Sequence, residues 1–296
     1  MESNQFTTIF IPVALAAIML GLGLSLKIED CRRVIVYPKA VLVALACQML
    51  LLPAICVAIA SMFGLRPELA VGLMLLAASP GGATANLFSH LAKGDVALNV
   101  TLTAVNSLLS LFTMPLIINW SMLHFSGQQQ MIPLQFDKII QVFAIVLVPV
   151  GIGMAINARF AEKASALRKY VKVLSSIFLI LVVAAAIAKE RNNLVEFIEQ
   201  VGLAALTFNL VSLLVGYFGP ILMRLPKRQA IAISMEVGIH NSTLAIAIAS
   251  SPTLLNNSMM AIPPAVYSLI MLITATIFAF LVNRGRDNAS EEHEAA

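Results

Sequence analysis

Nine long stretches of this sequence carry almost no charge, and that repetition constrains its fold more than any other feature. They lie near residues 6–26, 39–63, 67–92, 95–123, 138–158, 168–188, 195–223, 228–252 and 262–283. About 20 mostly apolar residues cross the hydrocarbon core of a bilayer as a helix. The spacing therefore predicts an all-α polytopic membrane protein with about nine transmembrane helices. Composition agrees, with hydrophobic residues at 59% of the 296 positions and charged residues at 11%. A water-facing surface on such a chain would need roughly twice that charge, so the lipid bilayer is the expected surrounding. The net charge of +4 does not signal nucleic acid, because the basic residues occupy short gaps between apolar runs rather than one patch. The N-terminus has neither a basic n-region nor a small-residue cleavage site, and no signal peptide is expected.

Those gaps also predict an orientation. Lys27, Arg32, Arg33 and Lys39, then Lys93, then Arg159, Lys163, Arg168, Lys169 and Lys172, then Arg224, Lys227 and Arg228, occupy alternate connections. With Arg284 and Arg286 after the last span they make fifteen of the nineteen Lys and Arg; Arg66, Lys138, Lys189 and Arg191 form the opposite set. Basic connections stay cytoplasmic. The C-terminus is thus expected in the cytoplasm and the N-terminus outside, in a multi-pass protein of the inner (plasma) membrane. Residues 1–283 read as one transmembrane unit, and the polar residues 284–296, which lack an apolar period, as a disordered cytoplasmic tail.

Two spans are interrupted. The third holds Ser79-Pro80-Gly81-Gly82-Ala83-Thr84-Ala85-Asn86 at its middle, where a proline followed by two glycines opposes a continuous helix. The eighth holds Met235-Glu236-Val237-Gly238-Ile239-His240-Asn241-Ser242 at a comparable depth. Unwound backbone at mid-membrane requires cover from protein or a water-filled cavity. Freed helix N-termini suit anions, freed carbonyls suit hard cations, and paired breaks in two halves of a chain point to a transporter site. The two spans run in opposite directions, so approximately 6–123 and 168–283 read as inverted repeats, with the helix at 138–158 as the linker.

Glu236 is the one acid placed at mid-membrane, where a lone carboxylate costs about 2.5–3.5 kcal/mol or more. No Lys or Arg lies at its depth, so a bound metal ion or a proton is its expected partner. Sodium needs several oxygens. Candidates are Glu236, Asn86, Asn99 and Thr103, with the carbonyls of Val237 and Ile239; Asn99 and Thr103, four apart, share one helix face. Gln48 is a further polar group inside a span. An intramembrane enzyme is disfavoured, because HExxH and GxSxG are both absent.

PGGATAN, GDVALNVTLTAV and SMEVGIHNS together resemble the bile acid:sodium symporter family, and the resemblance covers essentially the whole chain. It implies a core and a panel domain with two crossed discontinuous helices, in a nine-span, bacterial-type form. One implied sodium site comprises Asn86, Asn99, Thr103 and Glu236. A second comprises Gln48, Glu236, the carbonyls of Val237 and Ile239, and His240. Ala83, Thr84, Asn86, Asn241 and Ser242 would face the organic anion, a bile-acid-like molecule or a small carboxylate such as pantoate or pyruvate. Three positions depart from the family pattern. His240 stands where glutamine is common, replacing an amide oxygen with an imidazole and placing the second sodium site in question; Ala85 replaces a serine and Ala83 a threonine. The expected activity is sodium-coupled symport by alternating access; the alternative is a proton-coupled transporter or a cation/proton antiporter of the same architecture.

Overall fold

The computed structural model describes residues 16–126, 136–168, 170–171, 173–174, 177, 194–251 and 254–294. Residues 6–15 of the first expected span and most of the 168–188 span, with Lys169, Lys172, Lys189 and Arg191, lie outside them. Among the described residues the chain is helical, and four helices are long and apolar enough to cross a membrane: Pro38–Met62, Val96–Phe125, Glu199–Leu222 and Met259–Arg284.

In chain order the principal helices are α1 (Ala16–Ser25), α2 (Pro38–Met62), α3 (Pro67–Ala78), α4 (Ala83–Leu91), α5 (Val96–Ser126), α6 (Phe136–Arg159), α7 (Leu194–Leu222), α8 (Lys227–Gly238), α9 (Ser242–Ser250) and α10 (Ile262–Glu294). The tail expected as disordered continues α10 to Glu294. Extending a formed helix requires no new nucleus, so even polar residues can propagate it.

Both interrupted spans are cut alike, into a 12-residue piece and a 9-residue piece. At 1.5 Å per residue these are about 18 and about 14 Å long, so neither crosses a core of about 30 Å alone. Both first pieces begin beside a proline. Pro67 opens α3, where its missing N–H is no loss, and Pro226 caps α8 with extended backbone. Pro80 ends α3 by forcing Ser79 to an extended conformation (φ −74, ψ 145). α8 has no such proline; it stops at Gly238, and the Asn241 side chain starts α9 by accepting the Leu244 N–H at 3.1 Å.

α2 is irregular too. A π-helical turn covers Cys47–Leu51, just ahead of Pro53. A proline ring crowds the carbonyl four residues back and donates nothing to it, and one wide turn relieves that conflict. The turn carries Gln48 and aims its side chain inward, leaving it 4% exposed.

The first half-helix of each interrupted span, α3 and α8, is central. Leu69 through Ala78 and Ala230 through Gly238 are buried without a gap. α3 packs on α2, α5 and α10, and α8 on α4, α5 and α7. The outer helices instead present apolar stripes at helical spacing: Phe112, Leu116 and Trp120 on α5, Leu210, Leu214 and Phe218 on α7, and Leu269, Ile273, Ile277 and Phe280 on α10 are exposed. Water would not tolerate such stripes, whereas lipid tails accept them.

Candidate functional site

The two interruptions meet. Gly81 and His240 form an isolated antiparallel bridge, and Asn241 N–H donates to Pro80 O at 2.8 Å. That bond diverts the N–H that would otherwise close a helical turn on Val237 O, leaving this carbonyl outside the α8 ladder.

Glu236 lies in the last turn of α8 and is fully buried. Thr103 Oγ1 donates to its Oε2 at 2.6 Å, Asn106 Nδ2 donates to its Oε1 at 3.0 Å, and a backbone hydrogen bond from Gly81 also reaches the carboxylate. Asn99, Thr103 and Asn106 are spaced by four and then three residues, so α5 offers them as one stripe. Asn99 Nδ2 donates to Ala232 O, one turn before Glu236, at 2.7 Å. From α4, Asn86 Nδ2 reaches Thr103 Oγ1 at 3.5 Å. The structure thus links Glu236 to Thr103 and, through it, to Asn86, with Asn99 held on the same helix one turn earlier.

Several buried atoms here have no hydrogen-bond partner: Asn86 Oδ1, Asn99 Oδ1, Asn106 Oδ1, Gln48 Oε1, Ser242 Oγ and His240 Nε2. A buried polar atom without a partner is costly and rare in native proteins. Five of these six atoms are oxygens, the donor type that hard cations prefer. Among the described residues, no three His, Cys, Asp or Glu side chains cluster, so a thiolate- or imidazole-rich metal site is not built here.

Gln48 and His240 form a second cluster. Gln48 Nε2 lies 3.0 Å from Ser79 O and 3.4 Å from His240 Nδ1, and His240 Nδ1 is 3.2 Å from Ser79 O. The imidazole stacks on Phe208 with centroids 5.8 Å apart and meets Tyr267 edge-on. Gln48 therefore turns its amide nitrogen to the Ser79 carbonyl; the hydrogen bonds of Glu236 run instead to Thr103, Asn106 and Gly81. Beneath the break, Asn209 Nδ2 at 3.0 Å and Tyr267 OH at 2.9 Å both donate to Gly238 O, and Thr274 Oγ1 donates to Asn209 Oδ1.

The residues expected to face an anion stand at the two new helix starts. Ala83 and Thr84 open α4, and Ser242 opens α9 with its hydroxyl buried. Asn241 already spends its oxygen as the α9 cap. Sequence reasoning missed Asn106 although it continues the Asn99–Thr103 stripe. It also missed the carbonyls of Ser79 and Gly238, which no side chain announces.

The profile of the Sodium Bile acid symporter family matches residues 12–197. The chain is 27% identical over 271 residues to the uncharacterized sodium-dependent transporter YocS of Bacillus subtilis, covering 91% of this chain and 82% of that protein. It is 26% identical over 296 residues to the probable sodium/metabolite cotransporter BASS1, chloroplastic, of Arabidopsis thaliana, covering 98% and 70%. It is 24% identical over 271 residues to the ileal sodium/bile acid cotransporter of Oryctolagus cuniculus, covering 90% and 76%. With the family profile spanning more than half of its length, the chain belongs to the sodium bile acid symporter family and is a transporter rather than an enzyme.

Proposed function

We propose that this protein couples sodium entry to the symport of a small organic anion by alternating access across the plasma membrane. One observation carries the reading: where two half-helices break against each other, a fully buried carboxylate, Glu236, is bonded to Thr103, whose neighbours Asn86 and Asn99 keep buried amide oxygens without partners. Glu236, Thr103, Asn99 and Asn86 form the main sodium site, in which a cation supplies the positive charge that no Lys or Arg provides. A second site would draw on Gln48, Glu236, the Val237 and Ile239 carbonyls and His240. The imidazole makes it the weaker of the two, because sodium prefers oxygen.

The anion binds where α4 and α9 begin, over Ala83, Thr84, Asn86, Asn241 and Ser242, where the positive ends of two helix dipoles favour a carboxylate. The relatives named for bile acid and for metabolite cotransport support an organic anion as the cargo; a bile-acid-like body or a small carboxylate such as pantoate or pyruvate is the class proposed. Sodium binding must favour the conformation competent for the anion, since equal affinity for both conformations shifts nothing. The nine-span, crossed-helix architecture with inverted repeats, the outside N-terminus and the cytoplasmic C-terminus complete the reading. A cation/proton antiporter would want a second titratable group on Glu236, yet its partners are a hydroxyl, an amide and a backbone group.

The test is the unfolding midpoint of the purified protein in detergent, titrated with sodium against potassium and choline at constant ionic strength. Sodium at about 100 times its dissociation constant adds roughly 2.7 kcal/mol to the folded state. The rise should be specific to sodium and absent in Glu236→Gln. Equal responses to sodium and potassium would overturn the reading.

A further inference from the structure

Two side chains from one α5 stripe donate to opposite oxygens of the same carboxylate, and they differ in what else they can do. Thr103 carries a hydroxyl whose oxygen can face a cation while its proton goes to Glu236. Asn106 meets Glu236 Oε1 through its Nδ2 at 3.0 Å, and an amide N–H cannot coordinate a cation. Asn106 is 1% exposed, and its own Oδ1 has no partner. No other hydrogen bond fixes its amide, so the bond to Glu236 accounts for the orientation it adopts.

We infer that Asn106 is a positioning residue that competes with the coupling cation for Glu236. A hydrogen bond to a bare carboxylate is about twice as strong as one between neutral groups. Once a cation shares the carboxylate's charge, the Asn106 bond loses that charge assistance. The amide therefore stabilises Glu236 more without sodium than with it, and holds sodium affinity down. This matters to a symporter, which must release its ion and return with Glu236 still buried. Asn106 supplies the compensation that lets the unpaired carboxylate make that step without trapping the cation. The inference rests on the reading of Glu236 as the sodium-binding group.

The experiment titrates the full-length protein in detergent with sodium chloride as the probe, against choline chloride, and reads the unfolding midpoint of the wild type, Asn106→Leu and Thr103→Val. Asn106→Leu is expected to lower the midpoint in choline and to tighten the apparent sodium Kd by about fivefold, the difference between a charge-assisted and an ordinary hydrogen bond. Thr103→Val moves the Kd the other way. A merely structural Asn106 would lower the midpoint with and without sodium alike and leave the Kd unchanged, which overturns the inference. A Kd weakened as in Thr103→Val overturns it as well, by making Asn106 an ordinary ligand. Asn106→Ala, with the same expected direction, replaces Asn106→Leu where leucine does not fold. A wild type that sodium does not stabilise sinks the sodium reading itself, and the inference with it, before any variant is compared.

Discussion

The Glu236 carboxylate rests directly on the backbone of Gly81, so close that a Cβ at position 81 would overlap all three carboxyl atoms. The first break is thus fitted to the acid of the second interrupted helix, and the glycine is there for proximity. Its neighbour Gly82 is different: a Cβ there meets nothing within 4 Å, and its backbone is extended (φ −126, ψ −179), open to any residue.

Gly81→Ala and Gly82→Ala should therefore separate sharply. The first must push the carboxylate off its donors, at a cost of about 1–3 kcal/mol for overpacking, and weaken sodium binding at least about tenfold, which a displacement of about 1.4 kcal/mol would produce. The second should leave the sodium response intact and stabilise the fold by up to about 1 kcal/mol through the unfolded chain. Sodium-dependent unfolding of the pair checks both; similar behaviour would show that the close approach to Glu236 is not what position 81 requires.

Gly238 O accepts from both Asn209 and Tyr267, so either donor alone keeps this buried carbonyl satisfied. Tyr267→Phe should cost only about 1 kcal/mol. Removing both donors leaves the carbonyl without a partner, so Tyr267→Phe with Asn209→Leu should lose more than the sum of the single changes, by about 0.5 kcal/mol or more. A double-mutant cycle on unfolding in detergent measures the excess, and simple additivity would contradict the shared role.

Much of the candidate site is legible in the sequence, for reasons tied to particular residues. Pro80 with two glycines announces the first break, because proline and glycine act locally. Glu236, His240 and Asn241 announce the second, because polar groups inside an apolar run need a purpose. Asn106 was legible in principle, as the next residue of the Asn99–Thr103 stripe, but an isolated amide in a 31-residue helix resembles an ordinary interhelical bond. Pro53 likewise hints at the π turn that aims Gln48, though not at the direction. The Gly81–His240 bridge and the carbonyls of Ser79 and Gly238 could not be foreseen, since they arise from chain segments far apart in sequence and from backbone that every residue shares.

Asn241 stands both as the cap of α9 and as a proposed contact to the anion, and substitution can tell the two apart. Asn241→Ala should cost about 1 kcal/mol through the lost cap, whereas Asn241→Asp keeps an oxygen for the Leu244 N–H and should keep the stability. The added negative charge of Asp should nonetheless abolish sodium-driven uptake of carboxylates into proteoliposomes. If Asn241→Asp transports normally, capping alone explains the residue and the anion lies elsewhere.

His240 tests how many ions the protein couples. Its Nδ1 is engaged near Ser79 O, and its buried Nε2 offers nitrogen where a second sodium would want oxygen. The wild type should therefore bind sodium with a Hill coefficient of about 1, a single effective site. In His240→Gln the new side chain can donate its N–H to Ser79 O and turn its oxygen inward beside Gln48, so the coefficient should rise above 1 toward 2. The substitution also gives up the ring contacts with Phe208 and Tyr267, so the sodium-free midpoint should fall by an amount corresponding to about 0.5–1.5 kcal/mol. The two readouts are independent: lost ring packing lowers the midpoint at every sodium concentration, whereas only a gained oxygen ligand steepens the sodium curve. A lowered midpoint with an unchanged Hill coefficient would assign position 240 to packing and leave Glu236 with one ion.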